Sequence, residues 1–240
     1  MELSAQSRLP FMRNFSARAV RGFCLLLALC SASVSAQPRA KPVDLLNGRD
    51  LTGWEFITLP AAAGTPVTPP TWSYKDTGVL SLTGKPVSYL ATTTSHSDYR
   101  LHVEWRWPAD AASNSNSGIL LHIASGPTND SPWPVCLQVQ LKLGRAGDLL
   151  PMATAKFAEP LTSAPGAKNP QRDRLAANSE RAPGEWNSCD IVCRGGAIDV
   201  TVNGVLQNRI TGCVPSSGRI GLQLEGTPYE LRNIRLLPPK

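Results

Sequence analysis

The chain has 240 residues, 42% of them hydrophobic and 18% charged, which is the length of one domain with enough apolar material for a sizeable core. Its 19 glycines and 21 prolines stay well below the content of collagen-like or disordered chains. The 24 Lys and Arg against 18 Asp and Glu give a net charge of +6, but no clustered basic run draws a nucleic-acid footprint.

Part of that charge lies in the first segment. Arg13, Arg18 and Arg21 precede the apolar run Gly22 to Cys30, and Val34-Ser35-Ala36 follows. This order predicts a secretory signal over residues 1–36, cleaved near Ala36. The apolar run is too short to span a bilayer, which takes roughly 20 residues, and the bulky Leu29 argues against lipid attachment at Cys30. Cleavage would lower the net charge from +6 to +3. The expectation is an exported protein, periplasmic or secreted, with no transmembrane segment in the mature chain and no nucleic-acid partner. Cys136, Cys189, Cys193 and Cys213 would then sit in an oxidising compartment, where their three pairings and free buried thiols are all open. Cys189 and Cys193 share one strand face roughly 13 Å apart at strand rise, too far to bridge each other. No cysteine spacing matches a zinc site.

Residues 37–42 read as a linker and 43–240 as one domain. Within it, short alternating runs are punctuated by Gly, Pro, Asn and Asp, which is the pattern of strands. The clearest runs are Tyr99 to Trp107, Gly118 to Ala124, Val135 to Leu143, Trp186 to Arg194, Ala197 to Val202, Arg219 to Leu224 and Pro228 to Leu236. Gly195-Gly196 and Asn203-Gly204 supply the tight-turn residues of hairpins. The fold class expected is all-β, a sandwich of two antiparallel sheets. Residues 59–70 form an insertion-like loop, and 144–183 form a long, weakly patterned segment expected to cover a binding face.

Strand parity separates an apolar from a polar set. Leu101, Val103, Trp105 and Trp107 oppose Arg100, His102, Glu104 and Arg106; Ile119, Leu121 and Ile123 oppose Leu120 and His122; Leu137, Val139 and Leu141 oppose Cys136, Gln138, Gln140 and Lys142. If the three strands are neighbours, Glu104, Arg106, His122, Gln138, Gln140 and Lys142 form one patch. A merely solvated face would favour Lys, Glu, Thr and Ser, whereas Gln, His, Glu and Arg suit directional bonds to a hydroxyl-rich ligand. Trp105 and Trp107 fall on the core side, while Trp133, in a Pro-flanked loop, is expected to be exposed for sugar stacking. No phosphate-binding glycine loop, nucleophile elbow or zinc-protease helix motif is present.

The blocks Leu45-Leu46-Asn47-Gly48-Arg49-Asp50-Leu51-Thr52-Gly53-Trp54, Asp98 to Arg106, Asn116-Ser117-Gly118-Ile119, Gly184-Glu185-Trp186-Asn187, Val202-Asn203-Gly204, Gly221 to Gly226 and Leu231-Arg232-Asn233-Ile234 resemble the 3-keto-disaccharide hydrolase domain family (DUF1080) across residues 43–238. The resemblance implies a concanavalin A-like jelly roll that acts on 3-keto-glycosides by removing the C2 proton, expelling the C1 oxygen, and then adding water or hydrolysing. It also implies that Glu104, His122 and Glu225 supply a base or metal ligands, with a divalent metal as a Lewis acid. Arg106, Asn116, Gln138, Gln140, Lys142 and Asp148, with Trp133, would hold the substrate. Gln138 stands where the family commonly has Glu, and this departure gives weight to a non-catalytic carbohydrate-binding module as the alternative.

Overall fold

The computed structural model describes residues 41–58, 68–75, 78–126 and 133–238; the expected signal segment and most of the loop 59–70 lie outside them. Fourteen strands and no helix occur among the described residues: β1 Val43–Asp44, β2 Trp54–Thr58, β3 Trp72–Lys75, β4 Val79–Leu82, β5 Ser88–His96, β6 Tyr99–Arg106, β7 Gly118–Ser125, β8 Val135–Gln140, β9 Leu149–Met152, β10 Asn187–Arg194, β11 Ala197–Val202, β12 Val205–Ile210, β13 Gly218–Leu224 and β14 Tyr229–Leu237. They make two antiparallel sheets. Sheet A runs β12-β11-β10-β6-β14-β4-β3 with β1 also paired to β14, and sheet B runs β2-β5-β13-β7-β8-β9.

Alternation decides which side of each strand faces inward. In β6, Tyr99, Leu101, Val103 and Trp105 are buried and the residues between them are half-exposed, and β10 repeats this with Cys189, Ile191 and Cys193. Their register sets Cys189 opposite Val103 and Ile191 opposite Leu101. From sheet B, Leu90, Ile119, Leu121, Leu137, Val139 and Leu222 meet this layer in one core. Each such side chain removed from water contributes about 1.5–3 kcal/mol, so a register slip of one residue, which would reverse every face, is strongly disfavoured. Both hairpin signals appear as expected: Gly195 and Gly196, then Asn203 and Gly204, adopt the positive φ that two-residue turns require. Cys136, Cys189, Cys193 and Cys213 are buried free thiols, and burial pushes Cys193 and Cys213 up to about 12.

The segment 144–183 lines part of a cavity through Arg145, Asp148, Leu150, Asn169 and Gln171 and also braces the sheet edges. It contains β9 and then follows the open side of the sandwich, where Arg172 bridges to Leu149 and Lys156 to Val214. Backbone amides of Leu175 and Ala158 donate to Gln207 and Thr211 at 2.6 and 2.8 Å. The excursion thus satisfies polar groups along the edge strands β9 and β12, which would otherwise be unpaired. Buried Asn208 holds it there, donating to the Gly147, Arg172 and Asp173 carbonyls at 3.1, 3.4 and 3.2 Å and accepting from Arg172 Nε at 3.1 Å.

Candidate active site

The strands that were expected to adjoin are split between the sheets. β6 lies in sheet A, whereas β7 and β8 lie in sheet B, so Glu104 and Arg106 stand on the opposite outer face from Gln138, Gln140 and Lys142. Glu104 accepts hydrogen bonds from Arg232 Nε at 2.6 Å and Asn233 Nδ2 at 2.8 Å, with His102 Nε2 at 3.4 Å. Burial alone would raise its carboxyl, but these partners hold it below its ordinary range. Arg106 is paired with Glu230, which Lys75 also contacts. The Trp186 ring lies 4.7 Å from the Arg106 guanidinium carbon and 4.0 Å from that of Arg232. This face is a self-neutralised ladder.

His122 also leaves the expected face. It has φ 56° within a bulge of β7, where the registers to both β13 and β8 shift. Its buried ring packs edge-on against Tyr99 of sheet A, with centroids 5.7 Å apart, and Nδ1 lies 3.2 Å from the Pro215 carbonyl. Burial holds its pKa down. Strict alternation carried through a bulge assigns the wrong side. Trp133 is half-buried against the cluster of Tyr89, Ala91, Leu120, Ile123 and Cys136, at the opposite end of β8 from Gln140.

The remaining predicted residues do come together on the outer face of sheet B. Gln138 Nε2 donates to Gln223 Oε1 at 3.1 Å and to Gln140 Oε1 at 3.4 Å, and Gln140 Oε1 also accepts the Lys142 amide at 2.9 Å. Gly118 makes this possible, because a Cβ there would stand 2.6 Å from Gln138 Nε2. Asn116 Nδ2 donates to Glu225 Oε2 at 2.6 Å. Burial raises the Glu225 carboxyl, opposed by the nearby Lys142 ammonium. A cavity of about 410 Å³ opens between Asn116, Gln140, Lys142, Arg145, Asp148 and the wall made by Leu150, Asn169 and Gln171. Gln138 Oε1 and Asn116 Oδ1 are buried acceptors that receive no hydrogen bond from the described residues. Such acceptors are satisfied by a ligand that brings donors, as a polyol does.

Asp148 is differently placed. Its Oδ1 accepts the Arg174 amide at 2.8 Å and its Oδ2 lies 2.7 Å from Arg145 Nε, so its carboxylate is already engaged. Among the described residues no group of three or more His, Cys, Asp or Glu could hold a metal ion, and Glu104, His122 and Glu225 lie at three separate places. The residues do not fit the metal that the resemblance implies, and no step below is routed through one. Sequence reasoning missed Gln223, Asn169 and Gln171. Gln223 alternates with Leu222 and Leu224 and was open to a parity argument, whereas Asn169 and Gln171 reach the cavity by long-range pairing that leaves no local pattern.

The sheet order and this cavity define a jelly-roll protein with a polar site on one outer face. The profile of the 3-keto-alpha-glucoside-1,2-lyase-like domain matches residues 41–237, and the chain belongs to that family. Among curated protein sequences none matches it. Among solved structures, it is similar to a provisionally named glycosyl hydrolase of Parabacteroides distasonis ATCC 8503, with 18% identity over 83% of this chain and 94% of that one and a TM-score of 0.57. A LamA variant of Zobellia galactanivorans, in complex with laminaritriose and laminaritetraose, gives 11% identity, coverage of 83% and 100% and a TM-score of 0.53. The carbohydrate-binding module CBM66 of Bacillus subtilis gives 13%, 76% and 93%, and 0.51. At these identities the likeness is one of fold.

Proposed function

We propose that the chain is an exported enzyme that cleaves 3-keto-glycosides at the outer face of sheet B. The observation that carries this is the cavity lined by Asn116, Gln140 and Lys142, with Glu225 bonded to Asn116 and close to Lys142, Gln138 bonded to Gln140, and donor-lacking acceptors at Gln138 Oε1 and Asn116 Oδ1. A ketone at C3 acidifies the C2 proton. Glu225, whose burial strengthens it as a base, takes that proton, and the electron pair forms an enolate whose oxygen the Lys142 ammonium stabilises. The enolate then reforms the C3 carbonyl while a C1–C2 double bond forms and the C1–O bond breaks. The leaving oxygen takes the proton back from Glu225. Water addition across C1–C2 yields the free 3-keto sugar; without it the reaction ends as a lyase. Gln138 and Gln140 hold hydroxyls, and the engaged Asp148 fixes Arg145 at the rim.

Asp148, the carboxyl that lines the cavity, is engaged by Arg145, and Glu225 adjoins the cavity through its bond to Asn116; this favours a second reading, a binding module without turnover. Incubating the protein with a 3-keto-α-glucoside and following aglycone release separates the two. Turnover supports the enzyme, whereas saturable binding with no release at high protein concentration sinks it. Export is tested by locating the protein and sequencing the N-terminus of its mature form, expected near Gln37.

A further inference from the structure

Glu180 lies on the excursion against the turn that joins β8 to β9, and nothing in the proposed reaction uses it. Its Oε2 accepts the Ala146 amide at 3.2 Å, the Gly144 amide also supports the carboxylate, and its Oε1 is buried with no partner among the described residues. The same turn is held by Arg174, whose Nη1 donates to the Gly144 carbonyl at 2.7 Å and whose amide donates to Asp148. On its far side Gly147 has φ 94° and so little room that a Cβ would stand 2.5 Å from Gln207 Cβ. Between these supports the turn carries Lys142, Arg145 and Asp148 to the cavity. The charges that face Glu180 are Arg174 from the excursion, which favours its ionised form, and Asp148 from the turn, which opposes it. Arg145 is already shared between Asp148 and Asp173.

We propose that Glu180 is a positioning residue: neutral, it fits its buried place against the Ala146 amide and so presents Lys142 and Arg145 to the ligand, and ionised, it loosens the turn and weakens binding. The device rests on the reading of this cavity as the sugar site only for its effect on binding. Burial raises the Glu180 carboxyl from 4.5 to about 7, so the two forms exchange in the neutral range. The burial cost of the charge outweighs the hydrogen bonds that the amides offer it, so the ordered turn favours the protonated form and weakens as pH rises through that value.

Amide hydrogen exchange of Gly144 and Ala146 in the ligand-free protein, corrected for intrinsic pH dependence, is the direct test. Protection is expected to fall about fivefold as pH rises through a midpoint near 7, and to be flat in Glu180→Gln. Affinity for a 3-keto-α-glucoside should fall several-fold as pH rises through the same midpoint, and this dependence should be lost in the variant. A midpoint that persists in Glu180→Gln overturns the proposal. Should that variant not fold, a carboxyl carbon titration of Glu180 in the unaltered protein decides: a midpoint near 4.5 overturns it, and one near 7 supports it. If the sugar does not bind at all, the functional reading fails while the exchange data still decide this one.

Discussion

The two outer faces carry similar residues to opposite ends. On sheet A, Lys75, Glu230, Arg106, Trp186, Arg232, Glu104, His102 and Asp190 form a continuous series in which each charge meets an opposite charge or an aromatic ring. On sheet B, Gln138 and Asn116 keep acceptors unfilled among the described residues, and Lys142 stands near a Glu225 that forms no salt bridge with any of them. A satisfied network rigidifies a surface, whereas unsatisfied buried groups mark where a ligand completes the structure. Charge and residue type alone do not separate the two; partner satisfaction does.

Exchanging carboxyl for amide on each face is the sharpest way to break this comparison. Glu225→Gln should lower kcat/KM on a 3-keto-α-glucoside by about 10²–10⁴-fold, the usual weight of a general base, while Glu104→Gln should leave it within about threefold. Equal losses would erase the distinction between the faces. Because Glu225 acts ionised and burial raises its carboxyl, the rate should climb as pH rises through that raised value.

Next in size is the tie between the sheets. Asn208→Ala removes a buried side chain that makes four bonds and leaves the Arg172, Asp173 and Gly147 carbonyls short of a donor. A loss of about 2–3 kcal/mol in urea denaturation is expected. A loss under about 0.5 kcal/mol would mean that the excursion is held mainly by its backbone pairing.

Stability should reverse the ranking expected in turnover. Glu104→Gln leaves Arg232 with a weaker acceptor in a half-buried setting and should cost about 1–2 kcal/mol. Glu225→Gln should cost nothing or stabilise near neutral pH. The sign follows from linkage: a carboxyl whose folded value is raised loses stability as pH rises through that value, and the amide avoids this.

The strands with strict alternation, such as β6, β10 and β11, were legible in the sequence because burial on one side fixes their period. β5 was not, since Thr92, Thr93, Thr94 and Ser95 blur its apolar face, nor was β9, which is only four residues long and ends in Pro151-Met152. At the site, parity found Gln138 and Gln140 but could not assign sheets, and so joined Glu104 to them. That partition depends on which strands pair across long loops, a property of the whole chain. His122 failed for a local reason, the bulge that turns its ring inward.

The smallest effect belongs to His102, which tests whether the sheet A ladder is electrostatic or merely packed. Its Nδ1 lies 2.8 Å from Asp190 Oδ1 and its Nε2 3.4 Å from Glu104 Oε1. The hydrogen bond to Asp190 outweighs burial and raises its pKa above the ordinary 6.5. A histidine with a raised folded value contributes stability that is fully present below the unfolded value and is lost as pH rises through the folded one. The contribution should stay below about 1 kcal/mol, because Asp190 is 40% exposed and solvent screens the pair. His102→Asn should therefore match the unaltered protein at pH 8 more closely than at pH 6 in urea midpoint, and added salt should shrink the difference at pH 6. A deficit independent of both pH and salt would assign the imidazole to packing against its neighbours, and the ladder would then owe its order to Trp186 and the two arginines that flank it.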